Sequence, residues 1–295
     1  MRRVMLNHWG LKNFTLASLL FAACDQTASP PPKEPFPPPP VAPAASASAS
    51  VAASAVPASA AAPSSVPVSP AVAAAVAAPD RTPEDRALDA GRKPDQMLSF
   101  FGIAPGMRVA EIAAGGGYTS ELLARVVGPS GKVYGQNIKL FLERFAEKPW
   151  SERLAKPVMA NVVRVDREVD DPLPPEAKNL DAVLSVLIYH DTVWLGANRD
   201  RMNRAIFDAL KPGGVYGIVD HSGRDGTDAT ETQTLHRIEE KVVKDEVERA
   251  GFVLDAEATF LKNPADTRDW SASPRAAGER RGTSDRFVLR FKKPG

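Results

Sequence analysis

From about residue 83 to the C-terminus, apolar positions switch repeatedly between short continuous runs and helical spacing. The runs 107–112, 132–136, 161–165, 180–188, 215–219, 252–261 and 286–291 read as seven strands. Between them, 119–127, 140–154, 199–210 and 232–250 carry apolar residues at helical spacing. The last of these reads as one long charged amphipathic helix, and 83–101 as a helical entry broken near Gly91 and Pro94. Lys211-Pro212-Gly213-Gly214 stops the third helix and turns the chain into the fifth strand. The run 180–188 is almost wholly apolar, which implies a strand covered on both faces. Strands interleaved with helices predict an α/β fold, a doubly wound, mostly parallel seven-stranded sheet of Rossmann-like type. Ligands of such sheets sit at the carboxyl ends of the strands.

The first strand ends in an acid and a glycine cluster, Glu111-Ile112-Ala113-Ala114-Gly115-Gly116-Gly117-Tyr118, and then enters a helix. Glycines allow backbone amides close to a ligand, and the helix N-terminus favours one that is nucleotide-like. Three histidines lie beyond the N-terminal region. His190 and His221 follow the fourth and fifth strands, and His236 is expected in the next helix. Tyr189, Asp191 and Asp220 accompany them. Such a group at one sheet edge suits proton transfer near neutral pH, with His190 the first choice of base, His221 the second and His236 the third. The same side chains would suit zinc, iron or manganese. No close spacing such as His-x-x-x-His occurs, so proton transfer ranks above metal binding and no metal ligand is assigned.

These stretches together resemble a class I S-adenosylmethionine-dependent methyltransferase over roughly residues 83–295. More closely, the chain resembles a bacterial family described as predicted methyltransferases, through 111–118, Tyr189-His190-Asp191, Asp220-His221-Ser222, Leu235-His236-Arg237 and 281–286. The resemblance implies S-adenosylmethionine as cofactor. It places Glu111 at the methionine ammonium or an ordered water, and Gly115, Gly116, Gly117 and Tyr118 in the cofactor loop. Ala113 replaces a motif glycine. Asn137 stands where an acid commonly binds the ribose hydroxyls, and Asp166 where the adenine amino group is often accepted. The 263–284 segment implies a lid or substrate wall, in which Trp270 would stack on an apolar substrate and Arg275, Arg280, Arg281 and Arg286 would clamp an anion. Trp150 and Trp194 read as packing residues.

Composition divides the chain. Most of its 27 prolines lie before residue 80, where Pro, Ala and Ser dominate from Gln26 onward. Such a segment buries too little apolar surface to offset its ordering entropy, so 24–80 reads as a disordered tether. Ala71 to Ala78 has the composition of a brief helix but no polar face. Upstream, Arg2 and Arg3 precede a short apolar stretch and Leu20-Phe21-Ala22-Ala23-Cys24, with Cys24 the single cysteine. This resembles the lipobox of bacterial lipoproteins. It implies a signal peptide over 1–23, lipidation of Cys24, membrane anchoring and a domain (81–295) facing the periplasm. The formal net charge of +1 gives no reason to expect nucleic acid, so a small-molecule substrate is the expectation. The sequence does not reveal oligomeric state. Export sits awkwardly with a cytoplasmic cofactor, which keeps open a metal-dependent enzyme or a ligand-binding module on the same fold.

Overall fold

A computed structural model describes residues 67–295; Cys24 and the expected signal and most of the expected tether lie outside the described residues. Seven strands form one sheet in the order β3-β2-β1-β4-β5-β7-β6. They are β1 (Arg108–Ile112), β2 (Lys132–Asn137), β3 (Val162–Asp166), β4 (Leu180–Val186), β5 (Leu210–His221), β6 (Val253–Ala258) and β7 (Arg286–Lys292). The first five run parallel, and β7 is inserted antiparallel between β5 and β6. The chain builds outward from β1 through β2 to β3, then returns to the other side of β1 for β4 and β5. The crevice at that reversal, beyond the C-terminal ends of β1 and β4, is where such a sheet accepts a ligand.

Successive strand residues serve opposite faces of the sheet, and both faces are buried. Ala110, Ile112, Val183, Tyr216, Ile218, Leu289 and Phe291 belong to one apolar cluster. Their neighbours Val109, Ala182, Leu184, Val219 and Val288 belong to the other. Double coverage explains why β4 reads as a nearly continuous apolar run.

The helices follow local capping signals. α2 (Pro83–Arg92) starts at Thr82, whose hydroxyl accepts from the Asp85 amide at 3.2 Å, with Pro83 in the first turn. It ends where Lys93 adopts φ 43°, and Pro94 opens α3 (Pro94–Phe100). The break thus falls at Lys93, and Gly91 stays helical. α4 (Tyr118–Val127) follows the glycine loop. α5 (Lys139–Phe141) and α6 (Glu147–Leu154) are joined by a π-helical turn, Leu142–Ala146. α7 (Tyr189–Trp194) and α8 (Arg199–Ala209) precede β5. Residues 210–214 join β5 with a register shift opposite β4, so the Lys-Pro-Gly-Gly turn is an irregular strand entry.

Two expectations are corrected. Pro70–Ala77, expected in the tether, forms helix α1, with Val72 and Ala75 buried. It packs on α3 and α4, so small apolar side chains against a ready-made surface substitute for a polar face. Ordered structure therefore begins before residue 81. The expected single helix over 232–250 is two, α9 (Thr232–Leu235) and α10 (Glu240–Arg249). Between them Ile238 pairs with the end of β5: its amide donates to His221 O at 3.1 Å and its carbonyl accepts from the Gly223 amide at 2.7 Å. Arg237 is fully buried and salt-bridged to Asp266 at 3.0 Å. That anchor overrides the helical periodicity. No described helix is long and apolar enough to cross a membrane.

Candidate active site

The loop from Ala113 to Gly117 leaves β1 at the crevice and delivers the chain to α4. Ala113, Gly115 and Gly117 have φ of 54°, 57° and 81°. A Cβ at Gly115 would meet open space. At Gly117 it would lie 2.4 Å from the Trp150 ring and 2.8 Å from Arg153 Cδ, so this glycine is required by packing. Trp150 is fully buried, the packing role expected of it.

The end of β2 shapes the loop. Gln136 Oε1 accepts from the Ala113 amide at 2.8 Å. Asn137 is fully buried and grips Gly115 twice: Oδ1 accepts from its amide at 2.8 Å and Nδ2 donates to its carbonyl at 3.1 Å. The Asn137 amide, at the position where the resemblance implies a ribose contact, is thus engaged with the loop itself. Asp166 ends β3 exposed and ion-paired with Arg164 at 2.9 Å.

Glu111 is buried beneath the loop and accepts from the Ser120 hydroxyl. Burial pushes its carboxyl up to about 7, against the opposing pull of the hydroxyl bonds and the Arg92 charge. The Tyr118 hydroxyl donates to Asp89 at 2.6 Å, and the Arg92 guanidinium stacks on the Tyr118 ring at 4.6 Å. The Arg92 guanidinium makes no hydrogen bond among the described residues. Burial lowers its pKa, which marks a cation short of carboxylate partners.

Across the crevice, the chain leaving β4 turns sharply at Leu187 (φ 59°), whose amide donates to Val219 O at 2.7 Å. This sets His190 and Asp191 in the first turn of α7, facing the end of β5. Asp220, fully buried, accepts from the His190 and His221 amides at 2.8 and 2.7 Å and holds His190 Nδ1 at 2.7 Å. His190 Nε2 lies 3.0 Å from Asp191 Oδ1 and 3.2 Å from His236 Nδ1, and those two atoms are 3.3 Å apart. His236 caps α9 at φ 50° and is not inside a helix as expected. Burial disfavours a charged His190, but Asp220 and Asp191 outweigh it and raise its pKa to about 10. Burial would raise the Asp191 carboxyl, yet bonds from His190, His236 and Trp194 hold it well below the usual range.

His221 is buried 5.6 Å from His190, ring centre to ring centre. Its Nδ1 lies 2.7 Å from Ser284 Oγ, which also accepts from Arg286 Nε at 3.0 Å. Burial, then the Arg286 charge, keep its pKa well below normal.

Tyr189 does not join this group. Its hydroxyl donates to Glu246 at 2.9 Å and accepts from Asn203 at 2.8 Å, between α8 and α10. Trp270 is also occupied: Arg237 and Arg280 stack on its ring at 4.8 and 4.5 Å, and its Nε1 donates to Asp266 at 2.7 Å. The expected substrate-stacking face is therefore covered, because 263–284 is pinned by Asp266, Arg268 and Asn263. Arg275 and Arg281 are exposed, and Arg286 is buried, donating to Gly91 O at 2.5 Å. Three site neighbours were missed in the sequence. Trp194, read as packing alone, donates Nε1 to Asp191 Oδ1 at 2.8 Å; its position one helical turn after Asp191 was the available signal. Ser284 lies in the 281–286 stretch that carries the resemblance, which was its signal; Asp89 arrives from a distant segment and gave none.

No family model matches the chain. Among solved structures, a SAM-dependent methyltransferase from Aquifex aeolicus superposes with a TM-score of 0.50 at 18% identity, over 72% of this chain and 94% of that one. A chain of the Haloferax volcanii complex between the Trm112 methyltransferase activator and a methyltransferase superposes at 0.50 with 17% identity, over 78% of this chain and 100% of that one. What is shared is the fold.

Proposed function

We propose that the chain is an S-adenosylmethionine-dependent methyltransferase with a small-molecule acceptor, and that His221 takes the acceptor's proton. One observation carries this reading: an open glycine loop and a buried histidine cluster face each other across the switch point of a methyltransferase-type sheet. The residues present fit the methionine end of the cofactor. Glu111 offers an acid and Arg92 a cation lacking a hydrogen-bond partner among the described residues, for the ammonium and carboxylate respectively. Gly115 leaves space above its backbone for close approach. Asn137 serves the reaction by holding the loop in shape.

When bound, the cofactor supplies an electrophilic methyl group on a sulfonium sulfur. The chain's task is then to align an acceptor and accept its proton. His190 is poorly suited, since both ring nitrogens are engaged. His221 has Nδ1 fixed by Ser284 and no partner for Nε2 among the described residues, which leaves that atom to accept a proton. The near-neutral net charge favours a small acceptor over nucleic acid. On the Leu20–Cys24 pattern the protein is an exported lipoprotein anchored through Cys24, and Cys24→Ser should shift it from the membrane to the soluble fraction.

The test is calorimetric titration of the full chain with S-adenosylmethionine and S-adenosylhomocysteine. Micromolar binding near one per chain is expected, weakened about tenfold or more by Arg92→Ala through loss of a charge-assisted contact. A folded chain that binds neither compound overturns the reading.

A further inference from the structure

We propose that His190 Nε2, Asp191 Oδ1 and His236 Nδ1 bind one divalent transition-metal ion of zinc-like chemistry, leaving a coordination position open to an oxygen, nitrogen or sulfur atom of a substrate. The three atoms form a nearly equilateral triangle with edges of 3.0, 3.2 and 3.3 Å. Donors about 2.0–2.1 Å from a tetrahedral ion stand about 3.3 Å from one another. The triangle therefore has the dimensions of one face of such a coordination shell. Two imidazoles and one carboxylate form a borderline donor set that suits zinc or iron better than calcium or magnesium.

The surroundings are those of an oriented ligand set. Asp220 holds His190 Nδ1 and is itself fixed by two backbone amides, so Nε2 is aimed into the triangle. Trp194 fixes the Asp191 oxygen in the same way. Two neutral imidazoles and the Asp191 carboxylate leave one positive charge on a bound divalent ion, which buried Asp220 balances. His236 reaches the triangle from a left-handed backbone (φ 50°), which is strained for a non-glycine residue and persists only where its surroundings impose it. The pairing of Ile238 with the end of β5 imposes it here. The His236 and Asp191 side chains keep 26% and 15% of their surface, so the triangle opens outward on one side. Three protein ligands with an open side mark a reactive centre, since structural zinc sites close with four.

Ligand spacing alone conceals this site. His190 and Asp191 are adjacent, but His236 comes from 45 residues beyond Asp191, across a helix break that the periodicity does not show.

The test does not depend on methyl transfer. The full chain, stripped with a chelator, is titrated with Co²⁺ and followed by its visible ligand-field absorption; Zn²⁺ is then added as competitor. One Co²⁺ per chain, displaced by Zn²⁺, is expected, with His236→Ala and Asp191→Ala each weakening binding about 100-fold or more and Asp220→Asn about 10–100-fold. Circular dichroism monitors folding. If His236→Ala does not fold, His236→Asn, which tolerates the left-handed backbone, takes its place, as Asp191→Asn does for Asp191→Ala. Absence of stoichiometric Co²⁺ binding by the folded wild-type chain overturns the proposal, as does undiminished binding by the folded variants. Titrating the same stripped chain with S-adenosylmethionine tests cofactor binding independently of the metal.

Discussion

Putting back the acid that the methyltransferase resemblance expects at the end of β2 should damage this protein. Asn137 gives Gly115 one acceptor at 2.8 Å and one donor at 3.1 Å, with no exposed surface. Asn137→Asp keeps the acceptor but replaces the donor with an oxygen facing the Gly115 carbonyl. The lost bond is worth about 1 kcal/mol, and the stranded, repelled carbonyl adds about 1–3 kcal/mol. The expected cost at pH 7 is about 2–4 kcal/mol, or a Tm lower by about 5–15 °C for a domain of this size.

The variant also carries its own internal control. A protonated carboxyl can donate to Gly115 O, so folding favours the protonated form and the new group's folded pKa lies above its unfolded value of about 3.9. The folded state then binds the extra proton, and stability relative to wild type falls as pH rises. The penalty is full above the folded pKa and fades as pH approaches about 3.9. Asn137→Ala loses both bonds and should show a deficit independent of pH. Urea unfolding with unchanged m-values, across a pH series, measures both. An Asn137→Asp protein with wild-type Tm at pH 7 and tighter S-adenosylmethionine binding would refute the clamp and return the side chain to the ribose.

Three further outcomes are expected. Gly117→Ala should destabilise severely, because its Cβ would enter the Trp150 ring on a left-handed backbone; Gly115→Ala, in open space, should cost only about 1–2 kcal/mol by thermal melt and weaken cofactor binding. Glu111 is held at about 7 in the folded protein against an ordinary value of 4.5, so the folded state retains its proton longer. Stability should fall as pH climbs through that window, and Glu111→Gln should flatten the trend in paired urea titrations. Arg237→Ala leaves the Asp266 carboxylate without its ion-pair partner, held only by the Trp270 indole and two backbone amides, and should cost about 2–4 kcal/mol by urea unfolding; a change under 1 kcal/mol would remove that anchor as the cause of the helix break.

The seven strands were legible because each alternates between two buried faces and ends at a turn signal, as Val183 and Leu184 show by joining opposite clusters. The glycine loop was legible for the same local reason. Its packing duties were not legible: Gly117 answers to Trp150, and Asn137 to Gly115. What escaped was decided by partners far along the chain. Residues 236–239 look helical until Arg237 meets Asp266 and Ile238 meets the end of β5. Helix α1 has little amphipathic pattern because it is apolar all round, with Val72 and Ala75 buried and Ala71 and Val76 packed partly against the domain. The proposed metal triangle depends on that same helix break, which brings His236 to His190 and Asp191.

The two halves of the site are mechanically joined. Arg286 lies on β7, the inserted antiparallel strand, and is buried. Its guanidinium donates to Gly91 O at 2.5 Å, next to Arg92 and the Tyr118 ring. It also donates to Ser284 Oγ at 3.0 Å, and Ser284 holds His221. His221 in turn shares Asp220 with His190, the first corner of the triangle. A displacement of α2 by a ligand at Arg92 would therefore pull on the strand that positions His221. Arg286 completes a contiguous set of contacts along which such a displacement would travel. The antiparallel strand thus has a task beyond closing the sheet: its Arg286 joins the end of α2 to Ser284 and, through it, to His221.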